Sequence, residues 1–230
     1  MTAGVPPPPS VEAVAEFGAA LTKAERYAEL LATDGVTRGL IGPRETSRLW
    51  DRHLMNCALV AEFLPERGEL VDIGSGAGLP GIVLAMLRPS LHVLLLEPLL
   101  RRSVFLEECI RTLDLPNATV LRARAEDKAA AGIRADVATA RAVAPLDKLA
   151  GWAAGLLRAD GQLIAIKGQS AEADLAAARP VLARLGVRSA EVLQAGHGRV
   201  VSATTIVRVV MGGHGREERA GAQRSRRGVA

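Results

Sequence analysis

At 230 residues the chain has room for one α/β domain with a sizeable core and an N-terminal extension. It is 49% hydrophobic but only 3% aromatic. Phe17, Tyr27, Trp50, Phe63, Phe105 and Trp152 are too few ring platforms for a stacking coat on single-stranded nucleic acid. Much of the net charge of +4 sits after Met211, where Arg216, Arg219, Arg224, Arg226 and Arg227 outnumber Glu217 and Glu218, so any RNA-binding face on the nearly neutral body is local.

Residues 1–9 end in four consecutive prolines and are expected to be a disordered lead-in. Ser10 can cap a helix, with Val11, Val14, Phe17, Leu21, Leu30 and Leu31 at helical spacing. A loop through residues 35–43 leads to a second helical stretch from Glu45 to Phe63, packing through Leu49, His53, Met55, Leu59 and Val60. Residues 10–66 thus form a helical extension ahead of the first strand. Cys57 and Cys109 have no metal-type spacing, and no signal peptide or long apolar segment precedes them. Reduced core thiols in a cytoplasmic protein, with no zinc and no membrane, are expected.

From residue 70 apolar runs fall at 70–73, 92–96, 118–122, 135–140, 161–167, 187–193 and 203–210, mostly with helical stretches between them. Such alternation reads as a parallel sheet covered on both faces. Only residues 194–202 separate the last two runs, too few for a helical crossover, so they pair as an antiparallel hairpin. The predicted fold is α/β: the seven-stranded, Rossmann-like sheet of class I methyltransferases, spanning residues 67–211. Residues 212–230 lack periodicity and read as a disordered basic tail.

The first strand ends in Asp72 and drops into a loop holding Gly74, Gly76 and Gly78, with Gly81 opening the next helical pattern. The second strand ends in another acid, Glu97. Two acids at the ends of adjacent strands, with a glycine loop between, make a nucleoside cradle. Residues 76–81 also satisfy G-x-G-x-x-G, the dinucleotide pattern. A dinucleotide, however, brings a doubly charged pyrophosphate to the loop, and Asp72 would set a carboxylate beside it. S-adenosyl-L-methionine carries a sulfonium and an ammonium and no phosphate, so the acid suits it better. Glu97 is placed to accept the ribose hydroxyls, and Ala125 and Glu126, after the third strand, to border the adenine.

The stretch Val71-Asp-Ile-Gly-Ser-Gly-Ala-Gly-Leu-Pro-Gly-Ile82 resembles the glucose-inhibited division protein B family, the bacterial 16S ribosomal RNA guanine-N7 methyltransferases. Four further segments match in order: Arg52-His53, Arg101-Arg-Ser-Val-Phe-Leu106, Thr139-Ala-Arg-Ala142 and Ile166-Lys-Gly168. The similarity covers residues 45–170. It implies cofactor contacts at Gly74, Leu79, Ala125, Glu126 and Arg141. It also implies that Arg124, Arg141 and Lys167 act near the RNA or the cofactor. The chain departs from the family at Asn56-Cys57, where Asp-Ser is usual.

Guanine N7 is an in-plane lone pair, so methylating it needs alignment and no base, nucleophile or metal. The sequence agrees: Cys57 follows Asn56 and Cys109 lies mid-helix, neither in the setting of a cytosine-C5 nucleophile. The Asn/Asp-Pro-Pro-aromatic motif of exocyclic-amine methylation is missing after strand four. Arg141 is expected to stack, to contact a phosphate or to orient the cofactor, with a structural ion pair to Asp136 or Asp147 as the alternative. His53 reads as a packed, hydrogen-bonded histidine, and Lys167 as an RNA phosphate contact. The expected partner is 16S ribosomal RNA or the small ribosomal subunit, met by a monomer. Two other readings stand beside this one: a small-molecule methyltransferase, and a ribosome-assembly factor with a vestigial cofactor site.

Overall fold

Alternate residues of the strands serve two different cores. Leu70, Val93, Leu95, Val137, Ile164 and Ile206 belong to one, while Val71, Ile73, Leu96, Ala138, Leu163 and Val207 belong to the other. The strands that carry these residues are therefore buried on both faces, as a sheet sandwiched between helices requires. The computed structural model describes residues 4–198, 200 and 202–213. Its strands are β1 (Gly68–Ile73), β2 (Leu91–Leu96), β3 (Ala118–Leu121), β4 (Ala135–Arg141), β5 (Leu157–Ile166), β6 (Val187–Ala195) and β7 (Thr204–Met211). They form one sheet in the order β3-β2-β1-β4-β5-β7-β6. The pairs are parallel from β3 to β5, and β7 runs antiparallel to both β5 and β6. This is the expected architecture, terminal hairpin included.

Helices α1 (Val11–Phe17), α2 (Leu21–Leu30), α3 (Met55–Ala58), α4 (Gly81–Leu87) and α5 (Leu100–Thr112) feed the first core. Helices α6 (Leu146–Leu156) and α7 (Ala171–Arg184) cover the opposite face. Because the first core runs from Phe17 and Tyr27 through Leu59 to Ile82 and Phe105, the helices before β1 share one apolar interior with the sheet.

Ser10 caps α1 as its sequence suggests, accepting from the Ala13 amide at 3.2 Å. The helix is rotated from its expected setting: Ala13 and Phe17 turn inward, and Val11 and Val14 face solvent. Phe17 meets Trp50 edge to face, ring centroids 5.8 Å apart. The Trp50 indole N–H also donates to the Pro7 carbonyl at 2.9 Å. The polyproline lead-in is thus tied to the body at Pro7, which corrects the expectation of disorder for that part; residues 1–3 lie outside the described residues. So do residues 214–230, which hold nearly all of the expected basic tail.

The stretch from Glu45 to Phe63 is no uniform α-helix. A 3-10 turn (Pro43–Arg48) gives way to a π turn (Leu49–Leu54), then α3, then a second 3-10 turn (Leu59–Phe63). The expected packing positions Leu49, His53, Met55, Leu59 and Val60 are nonetheless all buried. The π turn carries His53, and wide turns of this kind recur at functional sites.

Candidate active site

The sheet order reverses at β1, with β2 on one side and β4 on the other. Crevices at such switch points lie outside the carboxyl ends of the strands. A cavity of about 570 Å³ opens there, bordered by the loop after β1, Glu97 after β2, residues 123–126 after β3 and Arg141 to Val143 after β4. Leu40, Ile41 and His53 close it from the N-terminal extension, and Trp152 from α6.

The loop is fixed by its own backbone. The amides of Gly74 and Ser75 both donate to the Leu96 carbonyl, at 2.8 and 3.1 Å, and Gly78 N–H donates to the Ser75 carbonyl at 2.7 Å. Gly78 sits at φ +95°, and a Cβ there would stand 2.7 Å from the Tyr27 hydroxyl. Gly78 therefore packs beneath the loop and does not line the cavity, unlike Gly74, Gly76 and Leu79.

Asp72 also lies beneath the loop. It is fully buried, accepting from the Gly81 amide at 3.1 Å and the Thr139 hydroxyl at 3.2 Å. The carboxylate thus takes the first N–H of α4, the donor a pyrophosphate would need. It blocks a dinucleotide by occupying that amide and adding its charge, and it does not face the cavity contents as the sequence suggested. Burial pushes its pKa up to about 6, against the pull of the donors Ser75, Gly81 and Thr139.

Glu97 borders the cavity with its carboxylate already oriented. Oε2 accepts from Gly76 N–H and Oε1 from Leu99 N–H, each at 2.9 Å. A carboxylate has about four acceptor sites, so two remain for hydroxyl donors. Arg102 Nη1 stands 3.8 Å from Oε2. Ala125 and Glu126 border the cavity with Arg124, whose amide is held in a turn by Asp127 Oδ2 at 2.8 Å.

Arg141 ends β4 and enters the cavity wall. Neither ion pair considered from sequence forms: Asp136 pairs with Arg158. Instead Arg141 Nη2 is 2.7 Å from His53 Nδ1, and Nη1 donates to Cys57 Sγ at 3.6 Å. The far side of the imidazole, Nε2, is 2.8 Å from Glu45 Oε2. Ala142 follows at φ +54°, a left-handed conformation rare for alanine and frequent where a site imposes strain.

Lys167 does not line the cavity. Its Nζ pairs with Asp174 Oδ2 at 3.1 Å and reaches the Ala144 carbonyl at 3.5 Å. Asn56 keeps a hydrogen bond without a charge, accepting from the buried Thr204 hydroxyl at 3.1 Å. Burial raises the Cys57 thiol to about 11 and the Cys109 thiol to about 12, so neither is a thiolate nucleophile at neutral pH. Sequence reasoning had no role for Ser75, Ala142, Trp152, Leu40 or Ile41 in the cavity wall; nothing in local spacing marks them.

Several solved structures share the fold. Cofactor-bound Rv0187 from MTB matches with a TM-score of 0.56 at 19% identity, over 90% of this chain and 98% of its own. M. jannaschii TYW2 in complex with AdoMet matches at 0.54 and 18% identity, over 70% and 76%. Sequence relatives are much nearer. The ribosomal RNA small subunit methyltransferase G of Thermobifida fusca is 59% identical over 203 residues, 88% of this chain and 85% of that protein. That of Streptomyces avermitilis is 51% identical over 213 residues, 92% and 90%. The family model described as rRNA small subunit methyltransferase G matches residues 20–201. The chain belongs to the rRNA small subunit methyltransferase G family.

Proposed function

We propose that the chain transfers the methyl group of S-adenosylmethionine to N7 of a guanine in 16S ribosomal RNA. The cavity suits the donor on three counts. Its volume of about 570 Å³ falls in the range of roughly 300–1,000 Å³ usual for small-molecule sites. Glu97 keeps free acceptor positions for ribose hydroxyls. Asp72 has taken the amide that a phosphate would use. The single observation that carries the reading is that Glu97, the glycine loop and Arg141 border one cavity.

Gly74, Gly76, Leu79 and Glu97 would hold the donor, with Ala125 and Glu126 beside its adenine. When bound, S-adenosylmethionine would supply a sulfonium-activated methyl group for the N7 lone pair. The residues of the chain then have no proton to move; they align the two reactants and exclude water. Arg141 orients the ligands from the wall, and Arg124, exposed at the rim, contacts phosphate. Lys167 would reach RNA only on leaving Asp174. The chain would act as a monomer, and the ribosomal substrate supports action in the cytoplasm. Among the described residues, no helix is long and apolar enough to cross a membrane.

The test is incubation with labelled S-adenosylmethionine and undermodified small subunits or naked 16S ribosomal RNA, followed by mapping of the label. Label on guanine N7 is expected. Label found only on protein or on a metabolite overturns the reading.

A further inference from the structure

An arginine held by a carboxylate has its charge neutralised where it stands; one held by neutral acceptors keeps that charge for a ligand. Arg141 is of the second kind. Its guanidinium bonds the His53 ring at 2.7 Å, the His53 carbonyl at 3.5 Å and the Cys57 sulfur at 3.6 Å. Among the described residues it forms no ion pair within 4.0 Å. His53 Nδ1 can accept from arginine only when the ring proton sits on Nε2, and Glu45 Oε2 at 2.8 Å holds it there. His53 is 8% exposed, its imidazole wedged between a cation at the cavity and an anion behind it.

We propose that His53 is a positioning residue whose neutral ring aims Arg141 into the cleft with its charge unspent, to bind an anionic oxygen of a ligand. The proposal rests on the methyltransferase reading above. Two ligands bring such an oxygen, the carboxylate of S-adenosylmethionine and a phosphate of the RNA, and the arms of the test separate them.

The arrangement has a built-in pH limit. Protonating Nδ1 removes the acceptor and sets two cations side by side. The charged groups facing the ring are Glu45 from the preceding turn, Arg52 on its own turn and Arg141 from β4. Burial first, then Arg141, hold His53 below its ordinary value of 6.5, with Glu45 pulling the other way. The neutral ring therefore persists at neutral pH and is lost in acid.

Two substitutions of equal shape test the idea. His53→Asn sets a neutral amide oxygen where Nδ1 stands, and His53→Asp sets a carboxylate oxygen there. Both lose the Glu45 bond equally. With undermodified small subunits, kcat/KM of His53→Asp should fall below that of His53→Asn by about 10–100-fold, the worth of a hydrogen bond to a charged group. Calorimetry with S-adenosylmethionine and thermal midpoints are read on the same preparations. A loss carried by the Kd of S-adenosylmethionine assigns the oxygen to its carboxylate. A loss carried by the RNA kinetics at unchanged Kd assigns it to a phosphate. Equal activity of the two variants overturns the proposal, whereas a wild-type protein that labels no RNA overturns the parent reading instead. Glu45→Gln guards against misfolding of His53→Asp: it keeps an acceptor for Nε2–H and removes the charge. The acid limb of kcat/KM should then move to lower pH, and an unmoved limb overturns the proposal.

Discussion

Tyr27 donates its hydroxyl proton to the carbonyl of Ala77 at 2.6 Å, so a helix that precedes the sheet holds the glycine loop in place. The tyrosine is fully buried, and Ala77 borders the cavity. Removing the hydroxyl leaves a buried carbonyl without its donor, a cost of about 1–3 kcal/mol. Tyr27→Phe should therefore lower stability by that amount in urea unfolding. Its S-adenosylmethionine Kd should rise several-fold as the loop loosens. A Kd equal to wild type would show that the loop keeps its shape unaided.

The glycines of the loop are not equivalent, and alanine substitution should separate them. At Gly78, φ +95°, a Cβ meets Ile82 at 2.5 Å and Tyr27 at 2.7 Å. At Gly76, φ +59°, only the Gly74 carbonyl comes within 4 Å, at 3.8 Å. Gly76→Ala should thus cost only the left-handed strain of about 1–2 kcal/mol. Gly78→Ala adds overpacking of about 1–3 kcal/mol to that strain. Thermal midpoints in the order wild type, Gly76→Ala, Gly78→Ala are expected; a reversed order of the two variants contradicts this packing.

Why the sequence was readable in one respect and silent in another is visible in particular residues. The central strands were legible because their apolar runs are buried on both faces, and the hairpin because residues 194–202 cannot hold a crossover helix. Glu97 was legible as the acid ending β2. Asp72 was placed correctly along the chain but not in depth: whether a strand-end acid faces a ligand or a helix amide depends on the helix packed over it, here at Gly81. The His53–Arg141 contact joins residues 88 apart, and no local period encodes such a pairing. Lys167 looked like a cleft residue because β5 points there, but Asp174, in the first turn of α7, takes its charge. The inward rotation of α1 was hidden because Ala13, small and unremarkable in sequence, occupies the buried position that the valines were expected to fill.

The arginines after Met211 hold most of the excess positive charge of the chain. Removing residues 212–230 should weaken binding to 16S ribosomal RNA at low salt and flatten its dependence on salt concentration, because fewer counterions are released. The Kd of S-adenosylmethionine should stay as it was. RNA binding with an unchanged salt slope would make the arginines of this segment irrelevant to RNA.

Asp72 holds the first amide of α4 at a cost in stability that depends on pH. Its ordinary value is 3.8, and in the fold burial raises it to about 6. Between those values the folded chain holds a proton that the unfolded chain has released. Stability contributed by this group therefore falls as pH rises through that window, and above it the charged, buried carboxylate costs on the order of 3 kcal/mol. Asparagine can keep both contacts, its oxygen accepting from Gly81 N–H and its amide donating to the Thr139 hydroxyl, and it does not ionise. The stability of Asp72→Asn relative to wild type, from urea unfolding without cofactor, should shift in favour of the variant by up to about 3 kcal/mol between about pH 4 and pH 7. Because every other titrating group is common to both proteins, the difference isolates this carboxylate. A difference flat in pH would mean that Asp72 is charged in the fold across the whole range, with the loop donors outweighing its burial.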